Sequence, residues 1–188
     1  MALTQVASGL IASVAASTLT GTQTIPKSTL PTGSVLQVAQ ATLAGTQAVS
    51  GSSAWTDITS LSVTITPTAS TSKFLISFAV NMQGENNSFL RFTRNGTAVG
   101  VGNADGSKSL VSAANGYYGT ANGYQTVQLN AQYLDSPATA SAITYKVQGY
   151  ANNSAGTGAF YINYSSHEGD NAGSSRAMST LTVMEIAA

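Results

Sequence analysis

From Gly33 to the end of the chain, apolar residues recur at every second position in short runs, and Gly, Pro, Asn and Ser fall between the runs. A period of two sends alternate side chains to opposite faces, so the pattern predicts strands with one face turned to a core. The strongest run is Phe74, Ile76, Phe78, Val80 and Met82, which predicts the central core strand. Leu36 and Val38 alternate with Gln37 in a first strand. Leu61, Val63 and Ile65 alternate with Ser62 and Thr64 until Pro67 ends that run. Phe89 to Arg94 and Thr97 to Val101 flank Asn95-Gly96, a dipeptide suited to the positive φ of a type I′ turn, and so predict a tight hairpin. Arg91 and Arg94 fall on opposite faces of its first strand. Val127, Leu129, Ala131 and Tyr133 form another inward stripe, opposed by Thr126, Gln128, Asn130 and Gln132.

The segment Leu134 to Tyr150 joins a turn to a strand. Pro137 fixes φ and biases Ser136 toward extended geometry, and Ile143, Tyr145 and Val147 then alternate with Thr144, Lys146 and Gln148. Phe160, Ile162 and Tyr164 mark a further strand. The last, Met178 to Ile186, carries apolar residues on both faces: Met178, Met184 and Ile186 on one, Leu181 and Val183 on the other. A strand in a one-sided sheet has a wet face, so this one predicts a second buried surface, which a subunit interface through Leu181 and Val183 would supply. About eight short strands with no convincing helix predict an all-β antiparallel sandwich of jelly-roll type over residues 33–188.

Residues 1–32 differ in character. They are rich in Ala, Ser and Thr, carry one charge at Lys27, and end in a proline-punctuated stretch from Ile25 to Pro31. This reads as an arm, either extended or a short helix in which Leu3, Ala7, Leu10 and Val14 take heptad spacing. The absence of Lys or Arg before Lys27 argues against a secretory leader.

Charge changes the functional picture. Only 7 % of residues are charged, seven basic against seven acidic, where soluble domains carry roughly 25 %. With no basic cluster, neither a nucleic acid nor an anionic membrane is an expected partner. There is no cysteine, which excludes disulfides and thiolate metal sites.

Candidate chemistry is sparse. The single histidine, His167, stands beside Glu168 and Asp170, but the set is incomplete for a structural zinc site or an EF-hand loop, and no Gly-x-Ser-x-Gly elbow accompanies it. The acids are scattered singly, unlike the carboxylate pair of a glycosidase. The expectation is therefore a protein without catalytic residues, cofactor or metal. Between Gly102 and Asn122 a glycine-rich loop holds Tyr117 and Tyr118, with Tyr124 nearby. Rigid aromatics in a loop suit glycan contact, and equally suit packing of the sandwich end or a subunit seam.

Several of these segments, in order along most of the chain, resemble a family of phage tail-fibre-like virion proteins common in cyanophages and other marine phages. The matching pieces are GSVLQVAQ at Gly33, SLSVTITPTASTSKFLI at Ser60, RNGTAVGVG at Arg94, YLDSPATASAITYKVQ at Tyr133 and STLTVMEIAA at Ser179. The amino-terminal TQVASGLIASVAASTLTG resembles virion-anchoring arms. The resemblance implies a non-enzymatic, homotrimeric tail or head fibre on the particle surface. In that setting Leu3, Leu10, Ile11 and Val14 would dock the arm on other virion proteins. Capsid decoration is the alternative role, and host-glycan recognition through Tyr117, Tyr118 and Tyr124 a second.

Overall fold

The structure, a computed structural model, describes residues 27, 30–50, 54–84, 87–116, 126–152, 159–164, 169, 170, 172 and 174–188. Most of the amino-terminal arm, including Leu3, Leu10, Ile11 and Val14, lies outside the described residues, as do Tyr117, Tyr118, Tyr124, His167 and Glu168. The described strands are β1 (Val35–Leu43), β2 (Gln47–Ser50), β3 (Thr56–Ile65), β4 (Lys73–Gly84), β5 (Asn87–Arg94) and β6 (Thr97–Val99). They continue with β7 (Ala113–Asn115), β8 (Val127–Asp135), β9 (Ile143–Asn152), β10 (Ala159–Ile162) and β11 (Ser179–Ile186).

All pairings are antiparallel and fall into two sheets. One runs β1-β11-β4-β8, and the other β3-β9-β5 with the short β6 and β7 sharing the far edge of β5. Neighbouring strands are thus drawn from opposite ends of the sequence, the strand order of a jelly roll built from two Greek keys. The predicted all-β antiparallel sandwich is the observed fold. On β4, β8 occupies one edge; β11 pairs along Lys73 to Ala79 of the other edge, and β10 continues it at Met82 to Gly84. The short β2 pairs with β10.

The core lies between the sheets. Phe74, Ile76, Phe78, Val80 and Met82 are buried as their spacing predicts, and they meet Leu90, Phe92, Ile143, Tyr145 and Val147 from the facing sheet. Phe78 and Phe92 place their rings 4.7 Å apart, and Phe74 and Tyr145 5.9 Å. Gly149 allows one especially close approach, since a Cβ there would sit 2.5 Å from the tip of the Phe160 ring. Asn95 and Gly96 both take positive φ, 48° and 85°, and close the hairpin that their dipeptide predicts.

Three expectations are corrected. First, eleven strands are described rather than about eight, and β2 and β7, four and three residues long, leave no periodic signature in the sequence. One of them, β7, interrupts the segment predicted as a single loop from Gly102 to Asn122. Second, Leu36 and Val38 do not share a face. A register shift between Val35 and Gln37 reverses the alternation, so Leu36 is buried and Val38 is 57 % exposed. Third, Leu181 and Val183 do not supply a subunit interface: both are fully buried against the chain's own β3 and β9 layer, where a second copy cannot reach them.

Candidate interaction faces

Two buried polar clusters lock the sandwich and fix what its outer faces present. At one end Asp135, 3 % exposed, accepts two hydrogen bonds from Arg94 Nη1, at 2.8 and 2.9 Å, and one from the Tyr145 hydroxyl at 2.7 Å. Asp135 ends β8 while Arg94 and Tyr145 come from β5 and β9, so one carboxylate ties the two sheets together. Burial, with the neighbouring Asp135 carboxylate, pushes the Tyr145 hydroxyl far up, and it stays a donor at any working pH. Arg94 and Arg91 do lie on opposite faces of β5, and each is held within this chain.

Glu185 follows the inward parity of Leu181 and Val183 and is fully buried. It accepts from the Thr68 amide at 2.6 Å, the Thr68 hydroxyl at 2.9 Å and Gln37 Nε2 at 2.6 Å, which pins the turn before β4 and the bulge of β1 to β11. Burial by itself raises the carboxyl, but the surrounding donors outweigh it and hold Glu185 below the ordinary carboxylate range. A depressed folded value stabilises the fold above the unfolded pKa of about 4.3, and that contribution is lost as pH falls through the folded value. Glu185→Gln is therefore expected to lower the melting temperature at pH 7 and to converge on the parent as pH drops toward 3. Thermal unfolding at the two pH values checks this, and a constant difference would contradict it.

The outer face of the β1-β11-β4-β8 sheet carries one apolar row from edge to edge. Val38 pairs with Met184, Met184 with Leu75, and Leu75 with Leu134. Four strands at about 4.8 Å spacing make this row roughly 14 Å wide. Val38 and Leu134 at its two ends are 57 % and 49 % exposed. The next row, Val35, Ile186 and Lys73, holds the face's only charge among the described residues. On the other side the rows are hydroxyls, amides and small residues, and Ser77, Ala79, Asn130, Gln132 and Thr180 line a shallow hollow of about 490 Å³. The two long edge strands of this sheet, VLQVAQATL and VQLNAQYLD, lack Lys, Arg and Pro, the usual means of blocking edge-to-edge pairing.

The outer face of the other sheet is aromatic. Thr56 pairs with Gly149 and Phe89 with Tyr150, which aligns Trp55, the residue just before β3, with Tyr150 of β9 and Phe89 of β5. The Trp55 and Tyr150 rings are 5.5 Å apart, and the Tyr150 and Phe89 rings 5.9 Å. The adjoining row is Asp57, Gln148 and Arg91. Arg91 places its guanidinium 4.0 Å over the Trp55 ring and donates twice to Gln148 Oε1, at 3.0 and 2.8 Å. Gln148 Nε2 donates to Asp57 at 2.8 Å, and Lys146 Nζ reaches the same carboxylate at 2.7 Å. The hydrogen bond from Lys146, then that from Gln148, holds the Asp57 carboxyl below its usual range.

Among the described residues, none of those singled out in the sequence come together in a catalytic arrangement. Asp170 is exposed, and no group of three His, Asp or Glu side chains suited to a metal ion occurs among the described residues. The aromatic row had a sequence signal that alternation alone passes over. Phe89 and Tyr150 are large apolar residues at the parity opposite the core residues Leu90, Phe92, Tyr145 and Val147, and so sit on the face expected to be wet.

No protein-family model matches the chain, and no curated protein matches it. Solved structures do: that of the infectious bursal disease virus Gx strain aligns with a TM-score of 0.40 and 19 % identity over 81 % of this chain. The infectious bursal disease virus VP2 subviral particle aligns with a TM-score of 0.39 and 18 % identity over the same share. This chain spans about 37 % of the length of each.

Proposed function

We propose that this chain is a non-enzymatic structural component of a phage virion, a homotrimeric fibre or appendage whose amino-terminal arm docks on other virion proteins. The observation that carries the reading is the apolar row Val38, Met184, Leu75 and Leu134 on a face without carboxylates. An uncharged, partly apolar face bounded by two unprotected edge strands is costly to leave in water and is relieved by a second copy. Copies related by a closed symmetry axis cover such faces without forming open fibres. The ordered resemblance to tail-fibre-like proteins, from Gly33 to the final strand, supplies the virion setting.

The test is sedimentation of the full chain and two variants, with proteomics of purified particles. Val38→Asp and Leu134→Lys each place a charge on a side chain already exposed in the single chain, so their direct cost to folding is expected within about 0.5 kcal/mol. The expected result is a trimer for the parent and monomers for both variants at micromolar concentration, with the melting transition still cooperative. A parent chain that sediments as a stable monomer and is missing from particles would overturn the proposal. Copy number per particle separates an appendage from capsid decoration, which needs hundreds of copies.

A further inference from the structure

We infer that the outer face of the β3-β9-β5 sheet is a binding site for a neutral oligosaccharide, with Trp55, Tyr150 and Phe89 as the platform and Arg91, Gln148 and Asp57 as the polar rim. This is a different site from the tyrosine-rich loop around Tyr117, and it stands whether or not the virion reading holds.

Trp55, Tyr150 and Phe89 face away from the core cluster, which is complete without them. Three aromatics aligned across adjacent strands on an outer face are more than solubility favours, in a chain whose only tryptophan is one of them. Their ring spacings of 5.5 and 5.9 Å follow the strand spacing, a scale comparable to the repeat of linked pyranose rings. The apolar C–H faces of such sugars stack on aromatic surface, while their hydroxyls need both donors and acceptors alongside.

The adjoining row supplies both. Arg91 commits two of its donor hydrogens to Gln148 and keeps others; Gln148 Nε2 keeps one; Lys146 keeps two; and the Asp57 carboxylate keeps acceptor capacity. The mutual bonds among these groups hold them in place before any ligand arrives, which lowers the entropic cost of binding. Arg91 and Lys146 against the Asp57 carboxylate leave the rim with a single unit of positive charge, too little to hold a polyanion, while its mixed donors and acceptors match sugar hydroxyls.

Trp55 makes the test direct, since all tryptophan emission from the full chain originates at this face. The parent is titrated with a panel of neutral hexose and N-acetylhexosamine oligosaccharides of two or more rings, followed by tryptophan fluorescence and by calorimetry. The expected result is a saturable change in emission with at least one glycan, together with heat. Tyr150→Ala is expected to weaken that binding about tenfold. Arg91→Lys keeps the charge and tests the planar rim with little demand on folding, and it is expected to weaken binding several-fold. Absence of binding across the panel, binding that leaves Trp55 emission unchanged, or binding unaffected by both variants would each overturn the inference. Sedimentation reads the oligomer separately, so failure here and failure of the virion proposal are distinguishable.

Discussion

Asp135→Ala is expected to destabilise the fold by about 3 kcal/mol, the cost of leaving the buried Tyr145 hydroxyl and the half-buried Arg94 guanidinium without their shared acceptor. At about 2–4 °C per kcal/mol for a body of this size, the melting temperature falls by roughly 6–12 °C. The carboxylate joins β8 of one sheet to β5 and β9 of the other, and its loss leaves the Tyr145 hydroxyl without its acceptor in a fully buried position. Adding Tyr145→Phe to Asp135→Ala removes that orphaned hydroxyl and is expected to recover about 1 kcal/mol. Asp135→Asn keeps acceptor oxygen but not charge, and Arg94, with 31 % of its side chain exposed, turns partly to water, so an intermediate cost is expected. Urea or thermal unfolding of the three variants checks the order. Equal stability of parent and Asp135→Ala would mean that the clamp contributes nothing.

The second large effect is expected at Asn163, fully buried in the left-handed region at φ 66°. Its Nδ2 donates to the carbonyls of Leu43 and Gly45, each at 2.7 Å, and its Oδ1 accepts from the Ser179 hydroxyl at 2.6 Å. Its backbone amide donates to Asn81, and its carbonyl accepts from Ala177. One side chain therefore satisfies the corner between β1 and β2 and fastens it to the approach of β11. Asn163→Gly keeps the backbone conformation and removes only the side-chain bonds, at an expected cost of about 2 kcal/mol, because the buried Leu43 carbonyl and Ser179 hydroxyl lose this partner while the exposed Gly45 carbonyl turns to water. Asn163→Ala adds left-handed strain of about 1 kcal/mol to that. The difference between the two variants measures the backbone term. If Gly were as stable as Asn, the corner would not depend on these bonds.

Much of the sandwich was legible because its signals are local. Alternation from Phe74 to Met82 and from Ile143 to Val147 states which side chains go inside, and Asn95-Gly96 states where the chain reverses. Those inferences need no knowledge of what lies opposite. The bulge at Leu36 was not legible, because one extra residue in a pairing leaves no mark on composition. Glu185 shows the same limit. A carboxylate at an inward position reads as an error until Thr68 from a distant turn and Gln37 from β1 meet it.

The faces follow the same logic. Sequence by itself determined that this chain forms polar-skinned antiparallel strands with little charge around a core between two layers. Tertiary structure alone decided that Leu181 and Val183 are interior while Val38, Met184, Leu75 and Leu134 line up outside, and that Trp55 meets Tyr150 and Arg91. The physical reason is that strand pairing acts between residues far apart in sequence. Period-two alternation fixes which face each residue takes, whereas only register fixes its neighbours there, and a surface row exists only once register is set.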